Sequence, residues 1–308
     1  MQPLDEFDIM ASVRPINPTS GSVPQTLTCP KCGASASQSL RHCPTCENDL
    51  GFPNVRAAAA PSEVNALSNR YKVARDQARD RGLGTQFDEL VAAVNSESHV
   101  VVAMRPLFVR QFLADPRTLY AGYENLVGGG NRVPAPFEQD SDRFAVSGKL
   151  FASYASDIRY GVLSLDGVGL KNYGLVFVRL RDVAIEQRVS FLHENSYLFL
   201  DNLNMPVRSE LPLGFRSTWR NRAELVAAKI EPNLTAVTSS RDWSCHLVFQ
   251  GTTRPDDRCV EAHIFGSFNI DSIQSIEFSG PGSSREEKND IAIIKELMAK
   301  RGLAGGKA

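Results

Sequence analysis

The sequence predicts an α+β protein: a mainly antiparallel sheet with flanking helices, preceded by a small cysteine module and a linker helix. Three observations predict it. Helical and strand periodicities are interspersed from residue 98 to the end. The strands after residue 158 follow one another without the full crossover helices that a parallel order needs. Four of the six cysteines fall in the first fifty residues, cut off from the rest by a Pro- and Ala-rich stretch, FPNVRAAAAPS.

Composition sets the class. With 42% hydrophobic and 22% charged residues, 308 residues suffice for a main domain and a small satellite. No apolar run approaches the ~18 residues of a membrane helix, so no membrane partner is expected. The opening MQPLDEFDIM carries early acids and no apolar core, unlike a secretory leader. A formal net charge of −1 gives no global pull toward nucleic acid. Clustered rather than dispersed cysteines suit a reducing compartment, and a cytoplasmic location is expected.

The elements follow in order. Residues 1–27, with Pro, Ser, Thr and Gln and little periodicity, read as a disordered arm. Residues 28–50 are the cysteine module, and 51–97 a linker and helical connector. In the connector, Val64, Leu67, Tyr71, Ala74 and Ala78 recur at helical spacing after Ser62, a narrow stripe that predicts light packing. FDELVAAVNS adds a second helix.

The main domain spans 98–308. HVVVAM (99–104) reads as a strand and RPLFVRQFLAD (105–115) as an amphipathic helix stopped by Pro116. TLYAGYENLVGGGNRVPAP is a loop, and DRFAVSGKLFASYASD (142–157) a helix. RYGVLSL, YGLVFVRL, QRVSFL and SYLFL (196–200) are strands by their β-branched and aromatic content. FRSTWRNRAELVAAKI (215–230) is a helix, SCHLVFQG (244–251), CVEAHIFG and SIQSIEF strands. NDIAIIKELMAKRG (289–302) is a last helix closed by Gly302.

CPKCGASASQSLRHCPTC places Cys29 and Cys32, then Cys43 and Cys46, three positions apart within each pair, with two residues between. That spacing lets each turn aim both sulfurs at one ion, and two such turns complete a tetrahedral site suited to structural zinc. The module resembles a zinc ribbon. A four-thiolate site has no open position, so catalysis is not expected there. Lys31, Arg41 and His42 are its only basic residues, opposed by Glu47 and Asp49. A protein is therefore the expected partner of the module, with nucleic acid second.

RCVEAHIFGSF (258–268) alternates. A strand buries Val260, Ala262 and Ile264 and presents Cys259, Glu261 and His263 on the other face. A glutamate in mid-strand has low β-propensity; either chemistry or a solvated edge keeps it there. A second metal site from Cys245, His246, Cys259 and His263 fails on direction, since adjacent strand residues point to opposite faces. P-loop, GxSxG and HExxH patterns are absent.

CVEAHIFGSFNIDSIQSIEF resembles the C-terminal signature of ADP-ribosyltransferase-like toxins and effectors, and NYGLVFVRL with QRVSFLHENSY resembles an earlier segment of the same family. The resemblance covers roughly residues 100–280. It implies an enzyme that transfers ADP-ribose from NAD to an acceptor the sequence does not identify. Glu261 would stabilise positive charge at the sugar, and His263 would orient the acceptor. Arg105, Arg159 or His99 would replace the family's NAD-holding Arg or His, whose slot in TLYAGY carries Ala121; Tyr173 and Ser196 complete the implied cofactor contacts. The alternative is a non-catalytic zinc-ribbon protein that binds a protein or nucleic acid.

Overall fold

The computed structural model describes residues 26–120, 145–202 and 211–305. Ala121, nearly all of the arm and the start of the 142–157 helix lie outside them. The fold class is as expected: an α+β domain with a mainly antiparallel sheet, flanked by helices and preceded by the cysteine cluster.

Two short strands, β1 (Thr26–Thr28) and β2 (Ser35–Ser37), pair antiparallel in the module. The arm therefore ends in a strand. The main sheet contains β3 (His99–Met104), β4 (Ile158–Ser164), β5 (Val176–Leu180), β6 (Val189–Leu192), β7 (Arg216–Thr218), β10 (Glu261–Phe265), β11 (Ile273–Phe278) and β12 (Ala304–Gly305). Their order is β12-β11-β5-β3-β4-β10-β6-β7. Only the β11–β12 pair is parallel. A small ribbon of β8 (Val248–Phe249) and β9 (Arg258–Cys259) stands beside it.

Register assigns the two faces, because residues opposite one another across a ladder share a face. Val100, Val102, Leu163, Val178, Phe191, Ala262 and Ile264 face one way, into the main core. Helices α2 (Pro61–Asp80), α3 (Gly84–Glu97), α4 (Pro106–Ala114), α7 (Arg222–Ile230) and α9 (Arg285–Arg301) cover that side. The other face carries Val101, Val162 and Phe177 in one apolar cluster, and Ile158 and Leu192 in a second. Helix α5 (145–151), the 3-10 segment Ala152–Asp157 and the short helix α6 (Ser196–Asn202) pack over it.

The 51–97 segment packs far more tightly than a solvated connector. Leu67, Phe87, Leu90 and Val94 are all fully buried, and each such side chain contributes about 1.5–3 kcal/mol. Helix α1 (Pro53–Ala58) lies against β6, β7 and β10, where a linker was expected.

Three further elements differ from expectation. SYLFL is helix α6, because Asn195 caps it: Asn195 Oδ1 accepts from Tyr197 N at 3.0 Å. The first half of the 244–251 strand is the end of helix α8 (Ser240–Leu247), started by a capping box between Ser239 and Asp242, and Val248–Phe249 alone are strand. The 215–230 helix is β7 followed by α7. The carboxylate of Glu63 accepts from Gly214, Phe215 and Arg216 N–H, which holds this stretch extended beside β6. Helix α9 begins at Arg285, earlier than expected, through the Ser284–Glu287 capping box, and ends at Gly302 with φ of 64°.

Candidate functional site

Each cysteine pair sits in a tight knuckle. Gly33 N donates to Cys29 O at 2.9 Å, with Gly33 at φ 73°, and Glu47 N donates to Cys43 O at 2.9 Å. The four sulfurs lie within 4.8 Å of one another, an arrangement that could hold a metal ion such as zinc. The Cys29–Cys46 and Cys32–Cys43 sulfur separations are both 3.7 Å. Backbone N–H groups turned toward the sulfurs favour thiolate: the hydrogen bond from Thr45 brings Cys43 down to about 6, and that from Cys32 lowers Cys29.

Arg56 of α1 fastens the module to the domain. Its guanidinium donates to Leu50 O at 2.9 Å and Leu40 O at 3.0 Å, and also to the carbonyls of Gly51 and Gln38. Phe52 bridges the two parts: Arg41 lies 4.1 Å over its ring, and Phe265 of β10 lies 5.6 Å away.

Glu261 and His263 share one face of β10, as alternation predicts, and they touch. His263 Nε2 lies 2.9 Å from Glu261 Oε2. Because the carboxylate only accepts, Nε2 carries the hydrogen. Ser196 contributes through its backbone N–H, which donates to the same oxygen at 3.1 Å. Contrary to expectation, this face is not presented to solvent: the side chains are 13% and 4% exposed. Phe151 and Tyr160 meet the His263 ring edge-on, at 4.8 and 5.4 Å. The cavity beside His263, between α1, the 150–154 segment and β6, holds about 10 Å³, room for a single water at most.

Cys259, the third member of that face, is completely buried, and burial pushes its thiol well above the ordinary range. Its backbone serves a structural network. Cys259 N donates to Glu194 Oε1 at 2.9 Å, Lys229 Nζ donates to Cys259 O at 2.8 Å, and Lys229 pairs with Glu194 Oε2 at 3.0 Å. Cys245 is exposed on α8, so no second site forms with Cys259. Among the described residues, the Cys29–Cys46 set is the one metal-like cluster of cysteines, histidines and acids.

The implied cofactor residues divide. Arg159 is opposite Ile264, so it lies on the face away from Glu261 and His263. Its guanidinium is committed to Ser156 O at 2.7 Å, Ile158 O at 3.1 Å, Tyr120 O at 3.2 Å and Ser267 Oγ at 3.2 Å. It is a buried structural arginine. Arg105 and Tyr173 do come together, lining a cleft of about 430 Å³ beyond the end of β3. Glu261 does not line that cleft. A hydrogen-bond chain joins the two places. Asn172, beside Tyr173, donates to Asp257 Oδ1 at 3.0 Å; Asn195 donates to Asp257 O at 3.0 Å; and Asn195 precedes Ser196.

Arg216 and Arg222 point inward: Arg216 pairs with Glu63 at 3.0 Å, and Arg222 donates to Ser98 Oγ and Asn95 O. No helix among the described residues is long and apolar enough to cross a membrane. Set against known proteins, the chain matches no family model and no curated protein.

Proposed function

We propose that Glu261 is the catalytic carboxylate of an ADP-ribosyl transfer from NAD, and that the cysteine module holds a structural zinc ion and contacts a protein partner in the cytoplasm. One observation carries the catalytic reading. Glu261 and His263 form a hydrogen-bonded pair, 13% and 4% exposed, with Phe151 and Tyr160 edge-on to the His263 ring and Leu192 opposite Glu261 across the ladder. Enclosing a carboxylate costs several kcal/mol unless donors compensate; here Ser196 N–H and His263 Nε2 do so, and they hold the carboxylate in one orientation, as a catalytic group requires. The substrate class comes from the sequence resemblance.

In this reading the bond that breaks joins nicotinamide to the ribose C1′, and the bond that forms joins C1′ to the acceptor nucleophile. Nicotinamide leaves neutral, and the acceptor's proton passes to solvent or to Glu261. Positive charge grows on the sugar as the bond lengthens. A carboxylate already fixed by Ser196 N–H and His263 Nε2 stabilises that charge without reorganising. His263 orients the carboxylate through Nε2. A cavity of about 10 Å³ does not admit a nicotinamide ring, so the 145–157 cover must shift for substrate to reach Glu261.

The test is transfer of label from adenylate-labelled NAD to protein in a cell lysate, comparing wild type with Glu261→Gln. Loss of a fixed electrostatic partner costs about 10²–10³ in rate. Wild type should label and the variant should fall by that factor. Equal labelling removes Glu261 as catalyst; absence of labelling and of nicotinamide release by wild type assigns the protein to a non-catalytic binding role.

A further inference from the structure

We propose that the cleft beyond the end of β3 is a binding site for a phosphomonoester of nucleotide size, separate from the Glu261–His263 pair. Its walls come from four places in the chain. Arg105 and Pro106 close β3 and open α4, the 3-10 turn Lys171–Tyr173 leads into β5, and Gly280–Gly282 follows β11. Arg254 reaches in from the 3-10 turn Arg254–Asp256.

The backbone fixes these walls. A Cβ on Gly174 would lie 2.1 Å from the Met104 carbonyl carbon, so only glycine lets the 171–175 segment press against the Met104–Arg105 peptide. That contact sets Lys171 and Arg105 on adjoining walls of one cleft. Arg254 is positioned in advance: its Nε donates to Asn172 O at 2.9 Å, and its guanidinium lies 5.3 Å over the Tyr173 ring. Only Nε is used in that bond, which leaves both Nη groups for a ligand. The side chains of Arg105 and Lys171 make no hydrogen bond or ion pair among the described residues.

Charge selects the ligand. Three cations face the cleft, against one carboxylate, Glu287. Glu287 is already occupied: its Oε2 accepts from Ser283 N and Oγ, both at 2.8 Å, and from Ser284 N at 3.4 Å. Those bonds, led by the Ser283 backbone N–H, and the nearby charge of Arg105 hold it ionised below the usual carboxylate range. Two positive charges remain in surplus, in a chain whose formal net charge is −1. A phosphomonoester near neutral pH carries a matching charge of about −1.5 to −2 and three acceptor oxygens. The cleft's 430 Å³ is within the range of small-molecule sites.

The experiment is calorimetric titration of the full chain with AMP, adenosine and inorganic phosphate at low salt. The variants are Arg105→Glu with Lys171→Glu, Arg254→Gln, and Glu261→Gln; circular dichroism checks that each is folded. The first two positions are exposed, so the double variant should fold. AMP should bind wild type and adenosine should not. The charge reversal should weaken AMP by about tenfold or more, Arg254→Gln should weaken it less, and Glu261→Gln should leave it unchanged. AMP binding that survives charge reversal overturns the proposal, as does the absence of AMP binding at millimolar concentration. Binding of phosphate without AMP overturns the nucleotide size. AMP binding lost only in Glu261→Gln moves the ligand to the β10 pair. Because label transfer is read separately, either proposal can fail while the other stands.

Discussion

Asn54 of α1 donates Nδ2–H to the main-chain oxygen of His263 at 2.8 Å, tying the segment after the cysteine module to the strand that carries Glu261. The same amide nitrogen meets Arg188 O and Ser190 Oγ, each at 3.1 Å. Three acceptors around one nitrogen fix which way the amide points. Asn54 is buried, so nothing replaces these bonds if it is truncated. Asn54→Ala should cost about 1–3 kcal/mol, the usual penalty for stranding buried polar groups. Asn54 Oδ1 has no partner of its own, and its removal holds the loss toward the lower end. Urea unfolding midpoints at unchanged m-value measure it; a midpoint equal to wild type refutes it.

Stripping metal should unravel the module and spare the sheet. The four sulfurs gather both knuckles of residues 28–50, whose two strands are three residues each and whose Arg41–Asp49 pair is exposed. The main core draws on none of them. A chelator, or Cys43→Ser, should expose 28–50 to protease while the fragment from α2 onward stays resistant. Simultaneous digestion of both would show that Arg56 and its carbonyl contacts carry more of the domain's stability than their exposure suggests.

The sequence made some features legible and hid others for physical reasons. HVVVAM is bounded as expected because its neighbours Ser98 and Arg105 end the apolar run on both sides. The pairing of Glu261 with His263 follows from period 2 alone. Their enclosure does not, since alternation reports which residues share a face and says nothing of what arrives to cover it. The cover comes from 145–157 and α6, the latter read as a strand because SYLFL is aromatic and apolar while its cap, Asn195, is one short side chain. Arg159 misled for a similar reason: only the β4–β10 register, Arg159 opposite Ile264, shows that it faces away. Arg105 and Tyr173 are 68 positions apart and meet only through the close approach at Gly174.

Glu63 should be among the most sensitive positions in the chain. Its carboxylate is wholly enclosed; Oε1 accepts from Gly214, Phe215 and Arg216 N at 3.0, 3.1 and 2.8 Å, and Oε2 from Arg216 Nη2 at 3.0 Å. Glu63→Ala leaves three N–H groups and a guanidinium unpaired. It should destabilise the fold by about 3–5 kcal/mol, the cost of breaking a buried pair from one side. Glu63→Gln keeps an acceptor oxygen for the backbone and loses the charge opposite Arg216, so its loss should be smaller. Equal losses for both variants would show that the charge, not the backbone capture, holds β7 in place.

Acid should destabilise the protein through His193. Burial, then the positive charges of Arg70 and Lys229, push this imidazole down to about 3. Arg70 Nη2 lies 3.3 Å from Nδ1, which must accept because the guanidinium only donates. Lys229 is answered by Glu194 at 3.0 Å, and Arg70 lies within the field of Glu63. An unfolded histidine titrates near 6.5. Above that pH neither state is protonated and His193 contributes no pH dependence. As pH falls from 6.5 toward 3, the unfolded chain takes up a proton that the folded one refuses, so stability falls throughout that window and levels off below it. At pH 5 the loss from this group is about 2 kcal/mol. His193→Gln keeps a neutral acceptor for Arg70 and removes the titration. The difference in unfolding free energy between variant and wild type should therefore move by about that amount between pH 7 and 5, in favour of the variant. The carboxylates titrate alike in both proteins and cancel in that difference. A constant difference across the window would mean that His193 is protonated in the folded state and that Arg70 gives way to admit it.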